Sequence, residues 1–308
     1  MKAFANWVMK GRMQAVIAAT VLAVLGLLVT PLALFSAAIV MLTVLRQGWR
    51  EGVLVVGSAL LAIGGLGGLL FQMPVATVLI GAGLWIPAAF LGGVMGRSGS
   101  LRIAIEVAAA AAALIVLLQY WLLGDPAAYW ADALNEFLAR RLDQEALNES
   151  NVGQLIELMS GWMAGGVAAT WLLGSVVSLA LARHWSALID RPGAFGAEFR
   201  QLRFGRWMLL LVPVLLVVGI LLSGGRPTLV GQLYLVGMMV FLIQGISLAH
   251  GLVAEFGGSS AWLVGLYLLL IFVAPQGATL VALAGYADGW VDFRARIRAR
   301  RSGGADDN

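Results

Sequence analysis

Residues Met13–Leu45 read MQAVIAATVLAVLGLLVTPLALFSAAIVMLTVL, 33 residues without one charge. As a single helix the run would be about 50 Å long, against a hydrocarbon core of about 30 Å. Thr30-Pro31 stands near its middle. The residue before a proline avoids the helical region, and proline itself suits a first helical turn. The run is therefore expected to fold as two short helices, Met13–Val29 and Pro31–Leu45, joined by a tight turn. A second long run, Ala261 to about Trp290, is interrupted in the same manner by Ala274-Pro275-Gln276-Gly277, and again two short helices are expected.

Between these hairpins lie simpler segments. Gly52–Phe71, Val75–Met95, Ile103–Leu123, Leu155–Ala182, Trp207–Ser223 and Leu229–Ala254 each offer an apolar run of about 17–25 residues or more. Hydrocarbon offers no partners to backbone N–H and C=O groups, so each run must bond within itself as a helix. Hydrophobic residues make up 61% of the 308 and charged residues 12%, against about 25% charged in a soluble domain. The mean hydropathy is +0.91. This composition excludes a soluble enzyme, a disordered chain, a coiled coil and a nucleic-acid-binding domain. There is no cysteine, hence no disulfide, thiol nucleophile or thiolate metal site, and two histidines do not make a histidine cage. No cofactor is expected. The fold class is all-α: a polytopic transmembrane helical bundle of eight to ten hydrophobic segments, some of half length.

Charge placement orients it. With the N-terminus in the cytoplasm and both long runs folded as hairpins, all but Arg140, Arg141 and Arg226 of the 20 basic residues fall on the inner side. The bias of Lys and Arg toward the cytoplasm then favours ten segments, both termini inside, and residence in a bacterial inner membrane. The N-terminal run is longer than a signal-peptide core and is expected to stay attached. Residues 1–293 are read as one transmembrane domain and 294–308 as a basic, then polar, cytoplasmic tail.

Two solvent segments have character. The outer loop 124–152 opens with Asp125-Pro126, a cap followed by proline in the first turn. Trp130, Leu134, Phe137, Leu138 and Leu142 then recur at helical spacing, as in an amphipathic helix lying on the bundle. The inner loop 183–206 turns at Pro192-Gly193 and continues through Phe195, Glu198, Phe199, Arg200, Leu202 and Arg203. Phe195, Phe199 and Leu202 share one helical face. Phe195, Glu198, Phe199, Arg200 and Arg203 are the candidate docking residues for a membrane or cytoplasmic protein subunit, or for anionic headgroups.

That stretch, Pro192 to Gly205 in the form P-G-x-F-G-x-E-F-R-x-L-R-x-G, resembles the loop of the YybS-like family of bacterial integral membrane proteins, as does the hydrophobic layout of nearly the whole chain. The family is distantly similar to the substrate-capture subunits of energy-coupling-factor vitamin transporters. The resemblance implies a small ligand held within a helical bundle open to the outside. It also implies a first helix that meets a transmembrane partner through small residues, for which Ala15, Ala19 and Ala23 have the spacing.

Small residues four apart let helix backbones approach closely: Gly64 and Gly68, Ala88, Gly92 and Gly96, and Gly161 and Gly165. The run Gly64-Gly65-Leu66-Gly67-Gly68 is costly in a helix, at about 1 kcal/mol per glycine relative to alanine, and is read as a candidate unwound segment. Glu106 has Arg102 one turn away and is expected to pair with it. His250 and Glu255, five residues apart, do not share a face. In the outer half of the bundle Gln119, Glu157, Trp162 and Gln232 are the candidate ligand-binding residues, in a pocket expected to be apolar with a few polar contacts. No zinc-protease, phosphate-loop or serine-hydrolase motif occurs, so the chain is not read as an enzyme and carries no ATPase of its own. The leading reading is a small-ligand-binding or transport-related membrane subunit. The alternative is a non-transporting scaffold or assembly factor acting through the 183–206 loop.

Overall fold

The computed structural model describes residues 1–141, 150–223 and 227–297. The described chain is helical, in the order α1 (Lys2–Val8), α2 (Arg12–Gly26), α3 (Pro31–Gln47), α4 (Trp49–Phe71), α5 (Pro74–Ser98), α6 (Leu101–Leu123), α7 (Pro126–Ala139), α8 (Ser150–Asp190), α9 (Ala194–Arg200), α10 (Arg206–Ser223), α11 (Leu229–Glu255), α12 (Ala261–Phe272) and α13 (Gln276–Val291). Both prolines break the chain where expected: Pro31 opens α3, and the cis Ala274–Pro275 bond precedes α13. All ten apolar segments are helices. Of those described, α4, α5, α6, α8 and α11 are long and apolar enough to cross a membrane, while α2, α3, α10, α12 and α13 are shorter. The protein is thus an all-α polytopic membrane protein. The chain gathers into two compact units: 1–108 with 173–201, and 109–172 with 202–308.

In the first unit α3 is the central element. Every residue from Ser36 to Val44 is buried, because α2, α4 and α5 all pack on it. Close approach on each side needs small residues. Gly26 meets Ala33 across the α2–α3 hairpin, and Gly92 of α5 rides on the backbone of Met41, where a Cβ would stand 2.9 Å from the carbonyl oxygen. A buried polar relay joins three helices: Trp85 Nε1 donates to Ser36 Oγ (2.8 Å), which donates to the Ala19 carbonyl (2.6 Å). At the Leu27–Thr30 turn the apolar side chains of Leu27, Leu28 and Val29 are exposed, Leu28 at 83%. The backbone there is nonetheless bonded, with Leu27, Leu28 and Val29 N–H donating to the carbonyls of Val24 and Leu25.

Two expectations are corrected here. The glycine run at 64–68 is not unwound; α4 continues through it to Phe71. The glycines serve instead as the seat of α5: a Cβ on Gly67 would overlap Thr77, and one on Gly64 would lie 2.7 Å from Val78. The 183–206 loop is also shorter than expected, because Arg183 to Asp190 remain in α8. They stay helical because they pack: Trp185 is buried against Phe4 of α1 and Phe35 of α3, and Arg46 binds Asp190 at 2.6 Å.

The same end of this unit collects its ion pairs. Arg12 grips Glu51 with two bonds of 2.9 and 3.0 Å, and Arg183 binds Glu198 at 2.8 Å. Arg102 pairs with Glu106 at 2.9 Å, as its spacing predicts.

In the second unit α11 is central, packed by α10 and α13. Gly245 and Gly285 let α11 and α13 cross nearly backbone to backbone; a Cβ on either would overlap a carbonyl of the other helix. Helix α7 begins as expected, with Asp125 Oδ1 accepting from Ala127 N (3.0 Å) and Ala128 N (3.2 Å). Trp130, Leu134 and Leu138 are half-buried, Phe137 is exposed beneath the Arg141 guanidinium, and Leu142 lies outside the described residues.

Candidate functional site

The second unit carries a cleft of about 540 Å³ between the first part of α8, the last turns of α10 and the start of α11. Three local features open it. Thr228 caps α11 by accepting from Gly231 N (3.2 Å), which fixes where that helix begins. Gly219 of α10 and Gly231 of α11 face each other, with a Cβ on Gly219 reaching 3.5 Å from Gly231 N, so the two backbones meet without side chains between them. Gly161 of α8 accommodates Pro227, and Trp162 lays its ring beside Gly231, 3.5 Å from where a Cβ would be. The wall is mostly apolar, with Leu158, Leu216 and Ile220 prominent. Its polar groups are Gln154, Glu157, Thr228 and Tyr234.

Of the four residues expected to bind ligand, Glu157 and Trp162 line this cleft and Gln119 and Gln232 do not. Gln232 is buried and clamps α11 onto α8: its Nε2 donates to the Gly161 carbonyl and its Oε1 accepts from Gly165 N at 2.7 Å. Gln119 ties α6 to two neighbours, donating to the Ala164 carbonyl (3.2 Å) and accepting from Trp130 Nε1 (3.0 Å). Both amides hold up the site rather than face it. Gln154, Thr228, Gly231 and Tyr234 were missed. A signal for the first existed: Gln154, Glu157, Leu158 and Trp162 follow i, i+3, i+4, i+8 spacing, one face of a helix.

The other expected residues fall elsewhere. Ala15, Ala19 and Ala23 are buried in the first unit, Ala19 bonded through its carbonyl to Ser36, so they pack α2 onto the chain's own helices. Gly161 and Gly165 likewise pack α8 against Pro227 and Gln232. In α9, Phe195 stacks on Phe199 at 5.9 Å and meets the His184 ring. Glu198 is committed internally, to Arg183 and to the Leu101 N–H at the start of α6 (3.1 Å). Leu202 lies beyond α9 and is buried rather than sharing its face. Arg200 ends α9. Arg203 belongs to the second unit, where it donates to the carbonyls of Asp288 (3.0 Å) and Gly289 (3.1 Å) and pairs with Asp292.

That arginine is part of a polar cluster at the opposite end of α11 from the cleft. Asp288 is fully buried and binds Arg294 at 2.5 Å while accepting from Phe293 N at 3.1 Å. Arg294 also donates to Ser247 Oγ (3.3 Å) and the Leu202 carbonyl (3.1 Å). Gln244 accepts from Phe204 N (3.0 Å) and donates to the Gly285 carbonyl (2.8 Å). Each buried charge here has a charged partner and hydrogen bonds, as a low-dielectric site requires. His250 contacts the Tyr267 hydroxyl at 3.0 Å across α11 and α12. Among the described residues no group of three or more His, Asp or Glu side chains could hold a metal ion.

No protein-family model, no curated protein and no solved structure matches this chain. The site is therefore read from its own geometry.

Proposed function

We propose that this is a ligand-binding or transport-related subunit of the bacterial inner membrane, holding a small, largely apolar molecule in the α8–α10–α11 cleft. The observation that carries this reading is the cleft itself: about 540 Å³, walled mainly by apolar side chains, with a small number of polar groups among them. Small-molecule sites have this composition and fall in a range of about 300–1,000 Å³. The bias of Lys and Arg toward the cytoplasm supports a cleft in the outer half of the bundle, the side from which a substrate-capture protein takes its cargo. The sequence carries no phosphate-binding loop, so ATP-driven pumping would draw on another subunit.

Native mass spectrometry of the detergent-extracted full chain tests the reading. A small molecule retained by the wild type and absent from Gly231→Phe, whose ring would occupy the space beside Trp162, is the expected result. Identical spectra from the two proteins, with no adduct on either, would sink it.

A further inference from the structure

We infer that the cleft selects an organic cation, an ammonium or other onium head carried on an apolar body; this rests on the ligand-binding reading above. The argument starts from Glu157. Its carboxylate lines the cleft and has no hydrogen-bond or ion-pair partner among the described residues. Elsewhere in this unit Asp125, Asp288 and Asp292 are all engaged, by a helix N-terminus or by arginine. The carboxylate is exposed to the cleft, and a cation that displaces water between it and the apolar wall is held more strongly than one paired in bulk solvent.

Two aromatic rings add to the preference. Trp162 and Tyr234 line the same cleft as Glu157, and the faces of indole and phenol attract cations through their quadrupoles. Among the described residues the lining contains no lysine or arginine, and Glu157 is its one formal charge. Leu158, Leu216 and Ile220 supply the surface for the apolar body. The head therefore lies at Glu157 and the body along α10. An aminated lipid headgroup and a free amphiphilic amine share this chemistry.

The test uses the full chain in detergent micelles and three probes of similar bulk: tetraphenylphosphonium, tetraphenylborate and the neutral triphenylmethanol. Bound radiolabel is read by scintillation proximity. The wild type is expected to retain the phosphonium at least tenfold more tightly than the borate. In Glu157→Gln, which keeps the shape, phosphonium affinity should drop about tenfold toward that of triphenylmethanol, whose own affinity stays unchanged. Trp162→Leu should weaken the phosphonium about threefold. Equal phosphonium binding by the wild type and a folded Glu157→Gln, judged by unaltered elution and melting, overturns the inference. If triphenylmethanol is held while that equality is found, the cleft still binds ligands and only the class is wrong. If triphenylmethanol binds the wild type no better than Gly231→Phe, the underlying reading fails with it. Repeating the assay in nanodiscs separates the sources. Competition by phosphatidylethanolamine but not phosphatidylglycerol supports a lipid occupant, and competition by neither supports a free organic cation.

Discussion

Asp288 and Glu157 are both carboxylates of the second unit, and they live opposite lives. Asp288 is wholly buried, held by Arg294 and the Phe293 N–H, with Arg203 on its backbone carbonyl. Glu157 stands in an open apolar cleft with no partner among the described residues. The contrast separates two uses of charge in an apolar protein. At Asp288 the electrostatics are closed: every group that could bind a ligand is already bound to the chain. At Glu157 no described group closes them, and that is the place the proposed cation would take. The two sites lie toward opposite ends of α11, so one unit carries a locked end and a receptive end.

This comparison can be broken or sharpened by substitution. The largest effect is expected at the locked end. Arg294→Ala leaves the buried Asp288 carboxylate with only the more distant Arg203 guanidinium, 3.9 Å away, and should cost about 3–5 kcal/mol, read as loss of monodisperse protein and a lowered melting temperature in detergent. Replacing both partners, Asp288→Leu with Arg294→Met, should recover most of that loss; a double variant as damaged as the single would show that the pair does more than neutralise itself. Next comes Ser36→Ala in the first unit. It leaves the buried Trp85 N–H without its acceptor, at about 1–3 kcal/mol by the same thermal assay. Asp125→Ala removes a cap that accepts from two backbone N–H groups of α7, and about 1 kcal/mol is expected. Smallest is Glu157→Gln, which should move stability by no more than about 0.5 kcal/mol in either direction while abolishing preference for a cation. A large destabilisation there would place Glu157 with Asp288 and erase the distinction.

Much of the fold was legible because its signals are local. A proline after an uncharged run, an Asp-Pro at a helix start and an arginine one turn before a glutamate each act within a few residues, and Pro31, Asp125 and the Arg102–Glu106 pair behave accordingly. What sequence spacing missed depends on partners distant in the chain. The glycines at 64–68 look weak for a helix until α5 is laid against them, when the absent side chains become the reason for the contact. Gln119 and Gln232 were read as pocket residues from depth alone; depth does not say which way an amide turns, and both turn to backbone carbonyls of α8. Asp288 and Arg294 are six residues apart, a separation that no continuous helix would bring together. They meet because Asp292 takes a left-handed conformation, with φ of 50°, and turns the chain back. Glu157 and Trp162 were read from the same depth argument, and they line the cleft because the start of α8 happens to form its wall.

The α2–α3 hairpin has a further implication. Its arms, 15 and 17 residues long, rise only about 23 and 25 Å, less than an ordinary hydrocarbon layer. Its tip exposes Leu27, Leu28 and Val29, and their N–H groups are bonded within the turn, which lessens its need of water. Acyl chains bordering that tip must then splay or compress to cover the missing height, so the protein imprints a local dimple on the leaflet and is best matched to thin membranes.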